Sequence, residues 1–247
     1  MANFKAWTST LWHSGLNLLF PPECAVCQGE IVDGDTLCLC TKCRTELTRK
    51  PDKCCPRCGD WNLKTTRTGP RCASCARHKV RFEHAAFLGS YDHALRSAVL
   101  QLKHPGQEAL ALALGALSVQ QLAADVQTWS PDLIVPVPMH WRRKFSRGVS
   151  SPEILGEVWS RRLRLPLERG LLVRRRNTLP QADLLPDERF RNVRDAFRIS
   201  PNYRLRGAKV LLVDDILTTG ATCHEVALTL CQAGAKSVYV VALARAG

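Results

Sequence analysis

The sequence has few acidic residues, and this deficit limits the partners that it can attract. It carries 22 Asp and Glu against 35 Lys and Arg, which gives a formal net charge of +13 at pH 7 and a pI near 9.5. A surface with this balance attracts anions. Phosphorylated small molecules and nucleic acid both fit, and charge alone does not choose between them.

The sequence also lacks the usual marks of export and of membrane insertion. Residues 1–20 have no basic stretch followed by a continuous apolar run and a small-residue cleavage site. No later run is expected to reach the length of a membrane span. We therefore predict a cytoplasmic protein with no stable membrane insertion. Phe4, Trp7, Leu11 and Trp12 fit a short amphipathic helix, interpreted as a lid on the following module because only one Lys accompanies it.

Histidines at zinc-finger spacing are missing from the cysteine-rich part of the chain. Ten of the 12 cysteines lie before residue 76, mostly in C-x-x-C pairs. A transcription factor built on zinc fingers is therefore disfavoured, and it would leave most of the chain unexplained. In the cytosol, clustered thiols favour metal binding over disulfide formation.

Four C-x-x-C pairs make up this cysteine module. They are Cys24 and Cys27, Cys40 and Cys43, Cys55 and Cys58, and Cys72 and Cys75. Twelve residues separate the first two pairs and thirteen the last two, so the module is an internal repeat. Two such turns complete a closed tetrahedral Cys₄ site, and we predict two structural Zn²⁺ ions. An iron–sulfur cluster is the weaker alternative.

The spacing leaves the pairing of the C-x-x-C turns open, because an interleaved arrangement uses the same eight ligands. Cys38 and Cys54 are not predicted ligands, since neither has the two-residue spacer of the other pairs. Cys223 and Cys231 are expected to be buried as small apolar residues.

From about residue 82, strand patterns alternate with helix patterns. Strands are expected at 85–91, 132–138, 209–214 and 237–243, and helices at 92–103, 108–126, 152–164 and 221–233, while 171–199 is the least regular part. This alternation predicts an α/β domain with a mainly parallel, Rossmann-like sheet. We divide the chain into an N-terminal segment (1–20), a cysteine module (21–80) and an α/β domain (81–247). The binding site of such a sheet lies at the carboxyl ends of its strands.

One run, KVLLVDDILTTGAT at 209–222, carries the chemistry of that edge. An apolar strand ends in Asp214 and Asp215, and a turn with three threonines around Gly220 then opens a helix. A helix N-terminus offers unpaired N–H groups, and glycine lets a ligand's oxygens approach, so the turn suits a phosphate. The carboxylates suit sugar hydroxyls or a divalent cation. An ordinary polar βα turn is the alternative, although it needs neither two acids nor three threonines.

The run resembles the phosphoribosyl-diphosphate (PRPP) binding motif of type I phosphoribosyltransferases. The resemblance implies that Asp214 and Asp215, the predicted catalytic carboxylates, position the sugar by binding its 2′- and 3′-hydroxyls. It also implies a set of residues that bind the 5′-phosphate, namely Thr218, Thr219, Gly220, Ala221 and Thr222. Mg²⁺ would accompany PRPP and bridge its ribose and diphosphate oxygens.

Over nearly its whole length the chain resembles the ComF family, which joins a double zinc ribbon to a type I phosphoribosyltransferase domain. The resemblance rests on several ordered blocks: FPPEC at 20–24, the repeated Cys pairs, Lys103 with Gly106, VPVP at 135–138, Arg147-Gly148, the series Thr178, Gln181, Leu184, Arg189 and Asn192, and the run 209–222. It implies a role in DNA uptake or in the use of extracellular DNA.

Cations after VPVP are expected to bind the diphosphate end of PRPP. Arg142, Arg143 and Arg147 are the predicted ligands there, and Lys103 adds a further cation. The alternative for this run is a solvated basic face or a nucleic-acid contact. Where relatives commonly read R-G-F-N-Q, this chain has Val149, Ser150 and Ser151 after Arg147-Gly148, which removes two side-chain amides near the expected pocket.

The segment 178–192 is expected to act as a hood that closes over the ligand. Gln181, Arg189 and Asn192 would then meet the ligand on closure, and water would be excluded. The alternative is a basic rim of arginines that follows a phosphate backbone.

Two functions remain open at this point. One is PRPP-dependent transfer of a phosphoribosyl group to an acceptor that no residue identifies, with PRPP or a related phosphorylated nucleotide as ligand. The other is a non-catalytic adaptor that binds single-stranded DNA or a DNA-uptake helicase and keeps a vestigial or regulatory PRPP pocket.

Overall fold

A four-stranded parallel sheet lies at the centre of the fold. The structure, a computed structural model, describes residues 22–31, 37–61, 72–139, 150–179 and 184–246. The strands are β1 (His84–Ser90), β2 (Leu133–Pro136), β3 (Leu172–Arg174), β4 (Phe197–Ile199), β5 (Lys209–Leu217) and β6 (Ser237–Arg245). The helices are α1 (Thr41–Leu47), α2 (Ala73–His78), α3 (His93–Gln101), α4 (Glu108–Trp129), α5 (Ser151–Leu163), α6 (Pro186–Val193) and α7 (Ala221–Gln232).

The sheet has the order β1-β6-β5-β2, and every neighbouring pair is parallel. Its two central strands are rich in Val, Leu and Ala, and all nine residues of β6 are buried, as expected for strands covered on both faces. The predicted α/β class is confirmed. Because the strands are parallel, their carboxyl ends share one edge, which brings residues 137, 214 and 245 to the same side of the molecule.

Helices cover both faces of the sheet. On one face α4 packs against α5 and β1, and the buried Trp159 Nε1 donates to Ser118 Oγ at 3.1 Å. On the other face α7 packs against β6 and β4.

The expectation that no run reaches membrane-span length is corrected by α4. This helix of 22 residues is long and apolar enough to cross a membrane by length and composition. Half of its residues are buried inside the protein, where they face α5 and the sheet. A helix in the core of a soluble protein passes the same test because it is also apolar on most of its surface.

The cysteine module shares its hydrophobic core with the α/β domain. Leu39 and Leu47 are fully buried in one cluster with Leu88 and Leu95, and the second set of cysteines packs in the cluster of α7 and the other sheet face. A Cβ on Gly89 would lie 2.2 Å from the Leu47 carbonyl oxygen. The division at residue 80 therefore stays a prediction, and both cores extend across it.

Two local features differ from the sequence expectations. The least regular region, 171–199, contains the antiparallel pair β3 and β4 and the helix α6, which are short enough to leave little periodicity. Strand β5 runs on to Leu217, three residues past its expected end at 214, because Ile216 and Leu217 pair with Ala244 and Arg245 of β6. The acid pair thus lies inside a strand rather than after it.

Candidate functional site

The first cysteine cluster consists of Cys24, Cys27, Cys40 and Cys43, whose sulfur atoms all lie within 4.8 Å of one another. The Cys27 and Cys40 sulfurs are 3.8 Å apart. A tetrahedral site with Zn–S bonds of about 2.3 Å has S···S edges of about 3.8 Å, so the spacing fits zinc. Cys24 and Cys43 are buried, Cys40 is half-buried and Cys27 is exposed.

The second cluster consists of Cys55, Cys58, Cys72 and Cys75, and all four side chains are buried. The sulfurs of Cys55 and Cys75 are 3.9 Å apart, and those of Cys58 and Cys72 are 3.4 Å apart. These separations suit a shared ion and are far longer than a disulfide bond of about 2.05 Å. Each C-x-x-C turn therefore closes with its neighbour in sequence, and the pairing that the spacing left open is sequential.

The two clusters repeat each other in backbone detail. The N–H groups of Gln28 and Gly59 donate to the carbonyls of Cys24 and Cys55, each at 2.8 Å, and both donors have φ near the left-handed region, at 59° and 69°. In each cluster the third cysteine caps a short helix. The Cys43 N–H donates to Cys40 Sγ at 3.5 Å, and the Cys75 N–H donates to Cys72 Sγ at 3.4 Å. The predicted internal repeat is confirmed.

Thiols crowded at this distance no longer titrate alike. Hydrogen bonding from the Cys75 side chain lowers the pKa of Cys58 to about 5 against the effect of burial. Burial raises the pKa of Cys24, but backbone N–H donors outweigh it and the pKa falls to about 6. Burial raises the pKa of Cys72 to about 11 and also that of Cys43. Deprotonation of one thiol in a cluster thus opposes that of its neighbours, and a bound cation would stabilise the thiolates together.

Asp214 and Asp215 end the buried part of β5 and are not equivalent. Asp214 is only 8% exposed; its Oδ1 accepts the Asp215 N–H at 2.9 Å, and Cys223 Sγ donates to its Oδ2 at 3.8 Å. Burial raises the pKa of Asp214 well above its ordinary value, the Asp215 carboxylate adds to this, and the Arg174 charge opposes it. Asp215 is half-buried, and adjacent strand residues point to opposite faces. Asp215 is therefore the more accessible carboxylate.

The turn between β5 and α7, residues 218–222, is termed the phosphate loop here. Gly220 caps α7 with φ of 77°, and the Ala221 N–H donates to Thr219 Oγ1 at 3.4 Å. A Cβ on Gly220 would meet the Phe82 ring at 3.5 Å, an ordinary contact, so glycine is favoured here by the backbone conformation and not by space. The first N–H groups of α7 open beside the acid pair, an arrangement that can bind an anion.

A cation that the sequence patterns did not single out lies beneath this loop. Arg245 is 4% exposed, and its guanidinium donates to the carbonyls of Leu217 and Thr218. The available signal was its place as the one charged residue in β6, at the carboxyl end of a buried strand.

The predicted hood residues that the structure describes bind the hood's own backbone. Asn192 accepts the Leu179 N–H at 3.1 Å and donates to the Leu179 carbonyl at 3.0 Å. Arg189 Nε donates to the Leu184 carbonyl at 3.0 Å. Gln181 lies outside the described residues.

Helix α6 of the hood rests between the second cysteine cluster and α7. Phe190 stacks on His78 with ring centroids 3.9 Å apart and meets His224 edge-on at 5.6 Å. Asp187 forms an ion pair with Arg77. The hood is thus held by contacts with the cysteine module as well as by hydrogen bonds within the hood itself.

The predicted diphosphate cations Arg142, Arg143 and Arg147 lie outside the described residues. Lys103 is half-buried just after α3, and the carbonyl of its neighbour Leu102 accepts Ser151 Oγ at 3.2 Å. Lys103 therefore lies next to the start of α5, where the description of the chain resumes after residues 140–149.

Known proteins resemble the cysteine module and the chain as a whole. A double zinc ribbon domain model matches residues 15–76. The chain is 30% identical to DNA utilization protein YhgH of Escherichia coli K12 over 92% of its own length and 99% of that protein. It is 27% identical to competence protein F of Haemophilus influenzae, with 84% and 90% covered, and 26% identical to competence protein ComFC of Streptococcus pneumoniae, with 87% and 91% covered.

Solved structures similar to the chain include two phosphoribosyl enzymes. One is a glutamine phosphoribosylpyrophosphate amidotransferase from B. subtilis, at 20% identity and a TM-score of 0.34, with 59% of this chain and 26% of that one covered. The other is adenine phosphoribosyltransferase from Leishmania donovani, at 18% identity and a TM-score of 0.32, with 51% of each chain covered. The chain thus spans about a quarter and a half of their lengths.

Proposed function

The chain belongs to the family that contains DNA utilization protein YhgH and the competence proteins F and ComFC, and on that premise we propose that it binds PRPP with Mg²⁺. The site is the carboxyl edge of β5, and the reaction is transfer of the phosphoribosyl group to an acceptor that stays unidentified. The protein acts in the cytoplasm, in the uptake or use of DNA.

The observation that carries the proposal is the order of groups along 214–222. An accessible carboxylate at Asp215 is followed within a few residues by the left-handed Gly220 and by the N-terminus of α7. The helix end and the loop threonines suit the 5′-phosphate, and Asp215 suits the ribose hydroxyls on the same ligand. An ordinary polar turn without a nearby carboxylate can bind an anion but offers no group that binds the sugar hydroxyls.

The chain's own residues divide the work of the reaction. Asp215 would hold the sugar hydroxyls, and the phosphate loop would fix the opposite end of the ribose. The predicted cations Arg142, Arg143, Arg147 and Lys103 would stabilise the leaving diphosphate as its negative charge develops. Carboxylate oxygens are suitable Mg²⁺ ligands, and the ion when bound would supply further charge stabilisation.

The hood excludes water from the activated sugar in this proposal. The hood lies close to the site because its helix α6 packs on α7, the helix that the phosphate loop opens. The Asn192 contacts tie Leu179 to the end of α6, so closure would move these two described parts of the hood together.

Zinc serves the fold and not the chemistry. Four cysteine ligands close each site, which leaves no open position for substrate or water. The ions replace apolar packing in a module with two short helices, and both clusters lie against the cores of the α/β domain.

A second candidate function is the non-catalytic adaptor that binds single-stranded DNA or a DNA-uptake helicase. It is favoured by the hood side chains that bind the hood's own backbone, and by exposed arginines on and just after the hood, such as Arg191 and Arg194. The net charge of +13 also supports contact with a phosphate backbone.

Isothermal titration of zinc-loaded protein with PRPP and Mg²⁺ tests the first candidate. Asp215→Asn should weaken binding by about 10- to 100-fold, because hydrogen bonds to a charged group contribute about 1.5–3 kcal/mol. The matched control is Asp132→Asn, since Asp132 is an exposed carboxylate at the opposite end of β5, where its Oδ2 accepts the Lys209 N–H at 2.8 Å.

Unchanged affinity in Asp215→Asn would place the ligand elsewhere. Absence of PRPP binding by the folded wild type, together with salt-sensitive binding of single-stranded DNA, would select the adaptor. Equal loss of both activities in Asp215→Asn would argue against separate sites.

A further inference from the structure

Arg245 joins two parts of the molecule that the proposed function treats separately. Its Nε donates to the carbonyl of Cys58 at 2.9 Å, inside the second cysteine cluster. Its Nη1 donates to the carbonyl of Leu217 at 3.2 Å and to that of Thr218. One buried guanidinium thus bonds a turn that carries metal ligands and the start of the phosphate loop.

The bonds to Leu217 and Thr218 fix the direction of the loop's N–H groups. A trans peptide is planar, so its carbonyl and its N–H point in opposite directions. When Arg245 holds the Thr218 carbonyl, the Thr219 N–H points away from the guanidinium, toward the opposite side of the loop. The Leu217 carbonyl is held twice, because it also accepts the Ala246 N–H at 3.0 Å.

The turn around Cys58, at the other end of the Arg245 hydrogen bonds, packs directly on the sheet. A Cβ on Gly59, next to Cys58, would lie 2.5 Å from the Phe87 ring of β1, so the turn sits directly on that strand. Asp60 Oδ2 lies 3.9 Å from Arg245 Nη2, and the Trp61 ring lies 5.8 Å from the guanidinium carbon. A planar group with a fixed fork of donors is needed to serve the carbonyls on both sides, which favours Arg over Lys.

We propose that Arg245 is a positioning residue that couples the second cysteine cluster to the phosphate loop. The metal-bound turn holds the Cys58 carbonyl in place, Arg245 transmits that position to Leu217 and Thr218, and the loop N–H groups are thereby aimed at the anion. Metal at the second cluster is then required for an ordered anion site although it never touches the ligand. The role in anion binding rests on the proposed function, whereas the ordering of the loop does not.

Hydrogen–deuterium exchange of the ligand-free, zinc-loaded protein measures the coupling directly. The Arg245→Lys variant keeps the positive charge but lacks the planar fork of N–H donors. Peptides that cover 214–224 should exchange at least about tenfold faster in this variant, because hydrogen bonds from a charged group to both loop carbonyls are lost. Zinc content should stay at the wild-type level, since the eight cysteines are unchanged.

Arg57→Gln is the matched control. Arg57 lies in the same turn, between Cys55 and Cys58, and donates to the carbonyls of Phe82 and Val80, each at 2.8 Å. It ties the turn to residues 80–82 and, within the part of the chain that the structure describes, does not hydrogen-bond the loop. Its loss should speed exchange near residues 80–82 and leave 214–224 unchanged.

The outcomes separate the coupling from a general loss of stability. The proposal is supported if loop exchange is faster in Arg245→Lys with full zinc content and is unchanged in Arg57→Gln. Wild-type loop exchange in a folded Arg245→Lys overturns it, as does an equal increase in both variants. If Arg245→Lys does not fold, Asp60→Asn decides in its place, with a smaller increase in loop exchange expected and no change overturning the proposal.

PRPP titration of the same variants links the coupling to the ligand. PRPP affinity should fall in Arg245→Lys in parallel with the loss of loop protection and should be kept in Arg57→Gln. If the wild type does not bind PRPP, the proposed function fails, while the exchange experiment still decides whether Arg245 orders the loop.

Discussion

The buried carboxylate of Asp214 lowers the folding stability of the protein as pH rises. Its carboxylate is buried beside Cys223 and next to a second carboxylate, and burial is the main reason for its raised pKa. In the unfolded chain an Asp side chain has a pKa of about 3.9. Above that pH the unfolded state releases the proton first, so the contribution of Asp214 to stability is lost as pH rises through its folded pKa.

Asp214→Asn should therefore stabilise the ligand-free protein. The gain in melting temperature should be small near pH 4 and should widen as pH rises, and each kcal/mol relieved corresponds to about 2–4 °C in a chain of this size. The amide oxygen can still accept the Asp215 N–H. Thermal melts between pH 4 and 8 measure the effect, with Asp132→Asn as the exposed control. A difference that does not change with pH would contradict this account.

At the scale of elements, the turn between β5 and α7 combines several local requirements. The last residues of β5 must include an accessible carboxylate, Gly220 must take a left-handed conformation, and α7 must begin at once. Arg245 fixes the two carbonyls at the start of the turn from below. The turn therefore depends on both its own sequence and a neighbouring strand.

Gly220→Ala should separate ligand binding from backbone strain. The left-handed conformation costs an alanine about 1 kcal/mol of folding stability, and the new methyl group would lie 3.5 Å from the buried Phe82 ring. Relief of this strain would shift the turn and with it the first N–H groups of α7, which are the proposed phosphate donors. Gly207→Ala is the control, because Gly207 has φ of 72° and nothing within 4 Å of its Cβ position. Urea unfolding should show similar losses in the two variants, while titration should show weaker PRPP binding in Gly220→Ala alone. Equal PRPP affinity in both would count against an anion at this turn.

At the scale of the whole molecule, the cysteine module and the α/β domain fold as partners. Leu39 and Leu47 complete one core and the second cysteine cluster completes the other. The two clusters nevertheless differ in access to solvent, because Cys27 is exposed whereas all four cysteines of the second cluster are buried. Solvent therefore reaches the ligands of the first cluster more readily than those of the second.

Zinc release by a chelator should consequently occur in two phases. The fast phase should correspond to half of the bound metal and come from the first cluster, where solvent reaches Cys27. Cys27→Ser should remove the fast phase and keep the slow one, as followed with a metal-sensitive dye. Cys38→Ser is the control, since Cys38 is exposed in the same module and is not among the clustered ligands. A single phase in the wild type would contradict the difference in access.

The sequence by itself determined the features that depend on local order. The spacing of eight cysteines determined the two clusters, and the periodicity from about residue 82 onward determined the parallel sheet. The run 209–222 determined the acid pair, the glycine and the start of the helix. These features could be predicted because each depends on residues within about one supersecondary unit.

Only the tertiary structure decided which cysteine pairs share a site, how the two carboxylates differ and what lies beneath the phosphate loop. Asp214 and Asp215 are neighbours in sequence, yet packing buries one and leaves the other accessible. Arg245 is 187 residues from Cys58 and 27 from Thr218, and the three meet because β6 pairs with β5 and the cysteine turn packs on β1. The physical reason is that burial and long-range hydrogen bonds are set by how elements pack, which no local pattern of residues records.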